Sequence, residues 1–174
     1  MKCIAILGLG ALLATLSSCQ EATRGVSSAD PVNWARRTAT PEPDESLRAG
    51  ASYLSVYSEI YSQSEHLTHN LTATVSMRNT SRTDTLYIGR AEFFNTAGES
   101  IRNYFDHPIF IAPMETVEIV IDEHDQEGGT GGNFLFDWQV IPGADPPLFE
   151  AVMISTSGQQ GLSFSTRGVE IQQP

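Results

Sequence analysis

The densest collection of groups that could bind or move charge is Asp122-Glu123-His124-Asp125-Gln126-Glu127-Gly128-Gly129-Thr130-Gly131-Gly132-Asn133. Carboxylates, backbone carbonyls and a permissive chain in one loop are what a hard cation such as calcium requires, with Asp122, Asp125 and Glu127 as candidate ligands. The oxygen spacing of an EF-hand loop and its closing Glu are missing. The Gly-Gly-x-Gly-x-Asp calcium repeat is matched once, with Asn133 where Asp belongs. The favoured expectation is a hairpin loop with solvated acids and no cofactor, and calcium is the alternative. A phosphate cradle fits less well, because no Lys follows the glycines and the surrounding charge is negative.

Other reactive side chains are scattered. His66 and His69 are three apart, so in an extended strand they face opposite sides and cannot share a metal. With His107 and His124 they read as surface or edge residues. A catalytic serine would need a nucleophile elbow or a Ser-x-x-Lys, and the sequence has neither. No enzyme is expected; an envelope hydrolase using paired acids is the remote alternative, since the needed carboxylate separation is spatial. Tyr53, Tyr57 and Tyr61 form a stripe that could bind sugar, peptide or a partner sheet, although packing beneath a neighbouring segment is the commoner use of such a stripe. Asn70-Leu71-Thr72 and Asn79-Thr80-Ser81 match glycosylation sequons, which carry no meaning behind a bacterial export signal.

That export signal is Met1, a lone Lys2, an apolar run from Ile4 to Leu16, and Leu16-Ser17-Ser18-Cys19. The run is shorter than the ~20 residues needed to span a bilayer. A cysteine after small residues is the mark of a lipoprotein, so Cys19 is expected to be the lipidated first residue of the mature chain, with palmitate among its acyl groups. Cys3 falls in the discarded peptide, and one lipidated cysteine leaves no internal disulfide. Cleavage also removes the sole lysine. Nine arginines then face twenty-one acids, a net charge of −12 against −11 for the full chain. Such a surface repels polyphosphates and anionic headgroups, so nucleic acid is not an expected partner and acyl chains alone hold the membrane. Gln20 follows the cysteine where Asp would signal inner-membrane retention, which makes the periplasmic face of the outer membrane the expected address in a Gram-negative host.

Residues 1–18 are thus a signal peptide and 19–50 a tether. The second stretch is rich in Ser, Asp and Pro, with sparse and aperiodic apolar residues. Trp34 is its exception, able to rest at the membrane interface or dock on the domain. Residues 51–174 read as strands. Leu71, Ala73, Val75 and Met77 alternate with polar residues, as do Met114 to Ile121 and Phe134, Phe136, Trp138 and Val140; Leu162 to Ser165 adds a short strand. Leu54, Val56 and Ile60, on the parity opposite the tyrosines, favour a strand there too. The inward set shifts from Leu86 and Ile88 to Ala91 and Phe93, which predicts a bulge at Gly89. Short strands punctuated by turn residues predict an all-β, antiparallel β-sandwich, immunoglobulin-like by default.

Tyr53-Leu-Ser-Val-Tyr-Ser-Glu-Ile-Tyr61, Ser76-Met-Arg-Asn-Thr80, Gly128-Gly-Thr-Gly-Gly-Asn-Phe134 with Trp138, Glu150-Ala-Val-Met-Ile154 and Gly158-Gln-Gln-Gly-Leu-Ser-Phe164 together resemble a family of bacterial lipoproteins catalogued as domain of unknown function 3124. The resemblance implies an exported, lipid-anchored domain and transfers no catalytic residue. The family pattern has Ala where Gly132 stands, a departure expected to loosen the loop. The resulting expectation is a binding or structural module of the cell envelope, meeting an envelope protein or glycan. The alternative is a calcium-responsive domain using residues 122–133.

Overall fold

The computed structural model describes residues 33–41, 46–156 and 161–172. Cys19, the signal peptide and the turn at 157–158 lie outside the described residues. The described residues form twelve strands: β1 (Arg48–Ser55), β2 (Glu59–Ser62), β3 (Ser64–Asn70), β4 (Thr72–Arg78), β5 (Leu86–Phe94), β6 (Ser100–Asn103), β7 (Ile109–Ile111), β8 (Thr116–Ile121), β9 (Asn133–Val140), β10 (Leu148–Ser155), β11 (Leu162–Arg167) and β12 (Val169–Ile171). Among the described residues, no helix is long and apolar enough to cross a membrane.

All pairings are antiparallel. One sheet runs β12-β1-β9-β5, with β6 and β7 sharing the far side of β5; the other runs β11-β10-β4-β8, and β2-β3 is a separate hairpin. Alternation built both sheets. Ala73, Val75, Ile119, Ile121, Phe134, Phe136, Ala151 and Met153 are wholly buried, and the intervening residues face solvent. The sheets meet through aromatic rings: Phe136 of β9 stacks on Phe149 of β10 at 4.1 Å, while within the first sheet Phe134 stacks on its cross-strand partner Phe93 at 4.7 Å. The antiparallel sandwich follows from this two-faced pattern. β1 and β5 occupy both edges of β9 and β10 joins the other sheet beside β4, so the strand order departs from the A-B-E-D and C-F-G order of an immunoglobulin sandwich.

The bulge expected at Gly89 is present, as a register shift between Ile88 and Arg90 against β9. It lets Leu86, Ile88, Ala91 and Phe93 all point inward despite the broken parity. Met114, read as the start of a strand, instead sits in a turn at φ 62° and is 65% exposed. Glu115 explains this: its amide donates to the Ala112 carbonyl and its carboxylate accepts from the Ala112 amide, so the chain reverses before β8 begins.

The tether reading also needs correction where the residues are described. Arg48–Gly50 belong to β1, and Trp34–Arg37 form a 3₁₀ turn strapped onto the sandwich. Trp34 is buried against Phe105 at 5.2 Å, which decides its location in favour of docking. Arg37 pairs with Glu115 at 2.7 Å, and Ala39 N–H donates to the Pro108 carbonyl. Composition alone hid this, since one aromatic anchor and one ion pair fix a stretch with no period of its own. The Arg37 hydrogen bond holds the Glu115 carboxyl below its ordinary value of 4.5, against the opposing effect of burial. A lowered folded-state value means the stabilisation is full above about pH 4.5 and fades as pH falls through the lowered value. The protection factor of the Ala39 amide should therefore fall in that acid range, and Arg37→Met should reduce this pH dependence to the part that the Ala112 amide bond to Glu115 contributes.

Candidate functional site

Asp122, Asp125 and Glu127 lie in the β8–β9 connection, but they are not gathered round a common point. Arg102 of β6 reaches across to it. One guanidinium nitrogen donates to Asp125 at 2.9 Å and to the Tyr104 hydroxyl at 3.1 Å; the other donates to Glu127 at 2.7 Å. The Arg102 and Asp125 side chains are only 11% and 10% exposed, so this is a nearly buried pair. Burial works against the Arg102 charge, yet the bonds to Asp125 and Tyr104 overcome it and hold its pKa above the usual arginine value. Burial likewise pushes the Tyr104 hydroxyl up, with the Arg102 charge partly offsetting it. Asp122 turns the other way and accepts from the His124 amide at 2.8 Å. Asp125 and Glu127 thus hold an arginine. Among the described residues, no three His, Cys, Asp or Glu side chains are grouped to hold a metal.

The glycines that follow form a packing knot. Gly132 accepts from Val56 N–H at 2.9 Å, Gly129 from Ser58 N–H at 3.1 Å and Gly128 from Thr96 N–H at 3.1 Å. Thr96 Oγ1 accepts in return from Gly131 N–H at 2.8 Å. Three connections therefore converge there: β1 to β2, β5 to β6, and β8 to β9. A Cβ on Gly132 would lie 2.6 Å from the Val56 carbonyl oxygen, so glycine here lets the backbones close up. The expected loosening is reversed.

The tyrosines do not share a face. Tyr53 stands on β1 opposite Leu135 and Val169, Tyr57 packs beneath Phe164 at 6.0 Å, and Tyr61 extends from the β2–β3 hairpin, 61% exposed. The chain turns off the sheet after Ser55, which breaks the stripe. The histidines are separated too. His66 and His69 ride the hairpin; His107 Nδ1 lies 2.6 Å from Asp106 and its Nε2 3.4 Å from the Trp34 carbonyl; His124 is in the acidic loop. His107 holds the Asp106 carboxyl below the ordinary aspartate value. The Asn79 amide donates to the carbonyls of Asp84 and Ile111, which makes this sequon residue a buried tie between loops.

Sequence reasoning missed the outer face of the four-stranded sheet. Val120, Val152 and Ile154 project there, 39%, 45% and 42% exposed. They stand in cross-strand rows with Thr74 and Ser165, and with Thr72 and Ser163. Glu150-Ala-Val-Met-Ile154 held the signal, since both of its parities are apolar where a one-sided strand would alternate. The outer face of the other sheet differs, with Arg90 bound to Asp137 at 2.8 Å and to Glu92 at 2.9 Å near its centre. The Asp137 bond raises the Arg90 pKa against the effect of burial.

Fold and side chains together define an all-β sandwich with its central charges locked in ion pairs and one neutral, partly apolar sheet face open. The chain belongs to the family described as a protein of unknown function, DUF3124, whose profile matches residues 49–171. No curated protein matches the chain significantly. Among solved structures, that of Thermotoga maritima 1070 is similar with a TM-score of 0.42 at 12% identity, over 69% of this chain and 92% of that one.

Proposed function

We propose that this protein is a lipid-anchored, extracytoplasmic module that works by binding in the cell envelope and catalyses nothing. Acyl chains on Cys19 hold it, in a Gram-negative host at the periplasmic face of the outer membrane. The observation that carries the binding role is the sheet face on which Val152 and Ile154 stand side by side with Val120 two strands away, because exposed aliphatic residues grouped on one sheet face mark a protein contact. Aliphatic residues separated by Ser and Thr also favour a flat protein surface over a glycan, which would need polar groups gathered in a cleft.

Radiolabelled palmitate should enter the full-length protein and not Cys19→Ala, and only the labelled form should sediment with membranes. More than one acyl chain makes such anchoring effectively stable. Unlabelled wild-type protein would refute the anchor.

A further inference from the structure

We infer that the occupant of the four-stranded sheet's outer face is a second copy of this chain, related by a two-fold axis parallel to the strands between β4 and β10. This rests on the binding role proposed above and names the partner of that face. The register supplies the reason. Glu118 of β8, Ser76 of β4, Glu150 of β10 and Arg167 of β11 form one row across the sheet. Glu150 is already paired with Arg78 at 3.2 Å. Glu118 and Arg167, at the two ends of the row, have no ionic partner among the described residues.

Rotation about that axis keeps each row at its own height and reverses strand order. Glu118 of one copy then faces Arg167 of the other, twice per dimer. In the row above, Thr74 faces Val152 and Val120 faces Ser165, so aliphatic groups meet hydroxyl-bearing residues and no like charges oppose. An in-plane axis across the strands would instead set the charged row against uncharged ones. A chain of net charge −11 can approach its own copy only where local charge cancels, and Arg78, Glu118, Glu150 and Arg167 cancel on this face.

Three strand spacings of about 4.8 Å and six residues of about 3.3 Å give a footprint of roughly 300 Å² per copy. That is below the ~800 Å² per partner of a standard interface, so the contact is weak in dilute solution. Confinement on one membrane would raise the effective concentration of the two copies, which favours a weak contact.

The test places the photoreactive residue p-benzoylphenylalanine at Ser163, on the rim of this face, in the full-length protein expressed in cells. A control carries it at Gln139 on the opposite sheet. Ultraviolet light should give an adduct of twice the monomer mass from Ser163 and not from Gln139. Glu118→Arg or Arg167→Glu alone should lower that adduct about fivefold, and the double reversal should restore it to within about twofold, since only a facing pair is rescued by exchange. Melting temperatures of the three variants serve as the fold control. No dimer adduct, an equal yield from Gln139, or failure of the double reversal to rescue overturns the proposal. An adduct solely with another envelope protein overturns the second copy while leaving the binding role standing, and palmitate labelling of the same cells reports the anchor separately.

Discussion

Gly50→Val should be strongly destabilising. Gly50 pairs directly with Trp138 across β1 and β9, and the indole lies over it, so that a Cβ would fall 2.2 Å from Trp138 Cζ2 and 2.3 Å from Cη2. Those atoms belong to a rigid ring that is 1% exposed and bonded from Nε1 to Ser52 at 3.0 Å, with Arg48 stacked 5.1 Å from its centroid. Moving the ring aside breaks the Ser52 bond and opens the core around the largest wholly buried side chain. Overpacking costs about 1–3 kcal/mol and loss of a buried Trp about 3–5 kcal/mol. Against a typical total of about 5–15 kcal/mol, a loss of about 4 kcal/mol should collapse the midpoint in urea denaturation. Trp138→Leu added to Gly50→Val should recover part of the loss, because the intruding methyls then have room. Equal midpoints for Gly50→Val and wild type would show that the indole does not lie where described.

Arg102→Leu is expected to destabilise the protein by about 3 kcal/mol. Removing one member of a nearly buried ion pair leaves Asp125 uncompensated, which costs more than the pair itself contributes. Glu127, at 60% exposure, loses little, so Glu127→Gln should be close to neutral. Arg102→Leu combined with Asp125→Leu should be milder than Arg102→Leu alone, since it removes the stranded charge. The same geometry sets an expectation for calcium. With Asp125 and Glu127 committed to the guanidinium, calcium or a chelator should leave the melting temperature of the wild type unchanged, whereas a site confined to the native state would raise it. A calcium-dependent rise would return the loop to the role its composition suggested.

The acidic loop shows where sequence reading stops. Asp122, Asp125 and Glu127 share one loop, and shared location suggested shared purpose. Their partner, Arg102, lies on a different strand, and nothing in the spacing from Arg102 to Asp125 announces the pair. Glycine behaved likewise: the run at 128–132 read as a permissive loop, yet its carbonyls tie β1–β2 and β5–β6 to β8–β9. The tyrosines failed as a stripe because the chain leaves the sheet after Ser55, an event local periodicity does not encode.

What the sequence determined by itself was β4, β5, β8 and β9 with their buried faces, down to the bulge at Gly89. Period-two alternation is local, and burial of one face follows from it directly. Only the tertiary structure decided strand order, the docking of Trp34, the Arg102 pairing and the neutral face on β4, β8, β10 and β11. Each of these depends on which edges remain open and which charges meet across long separations, and a chain acquires those neighbours only when its two sheets close on a common core.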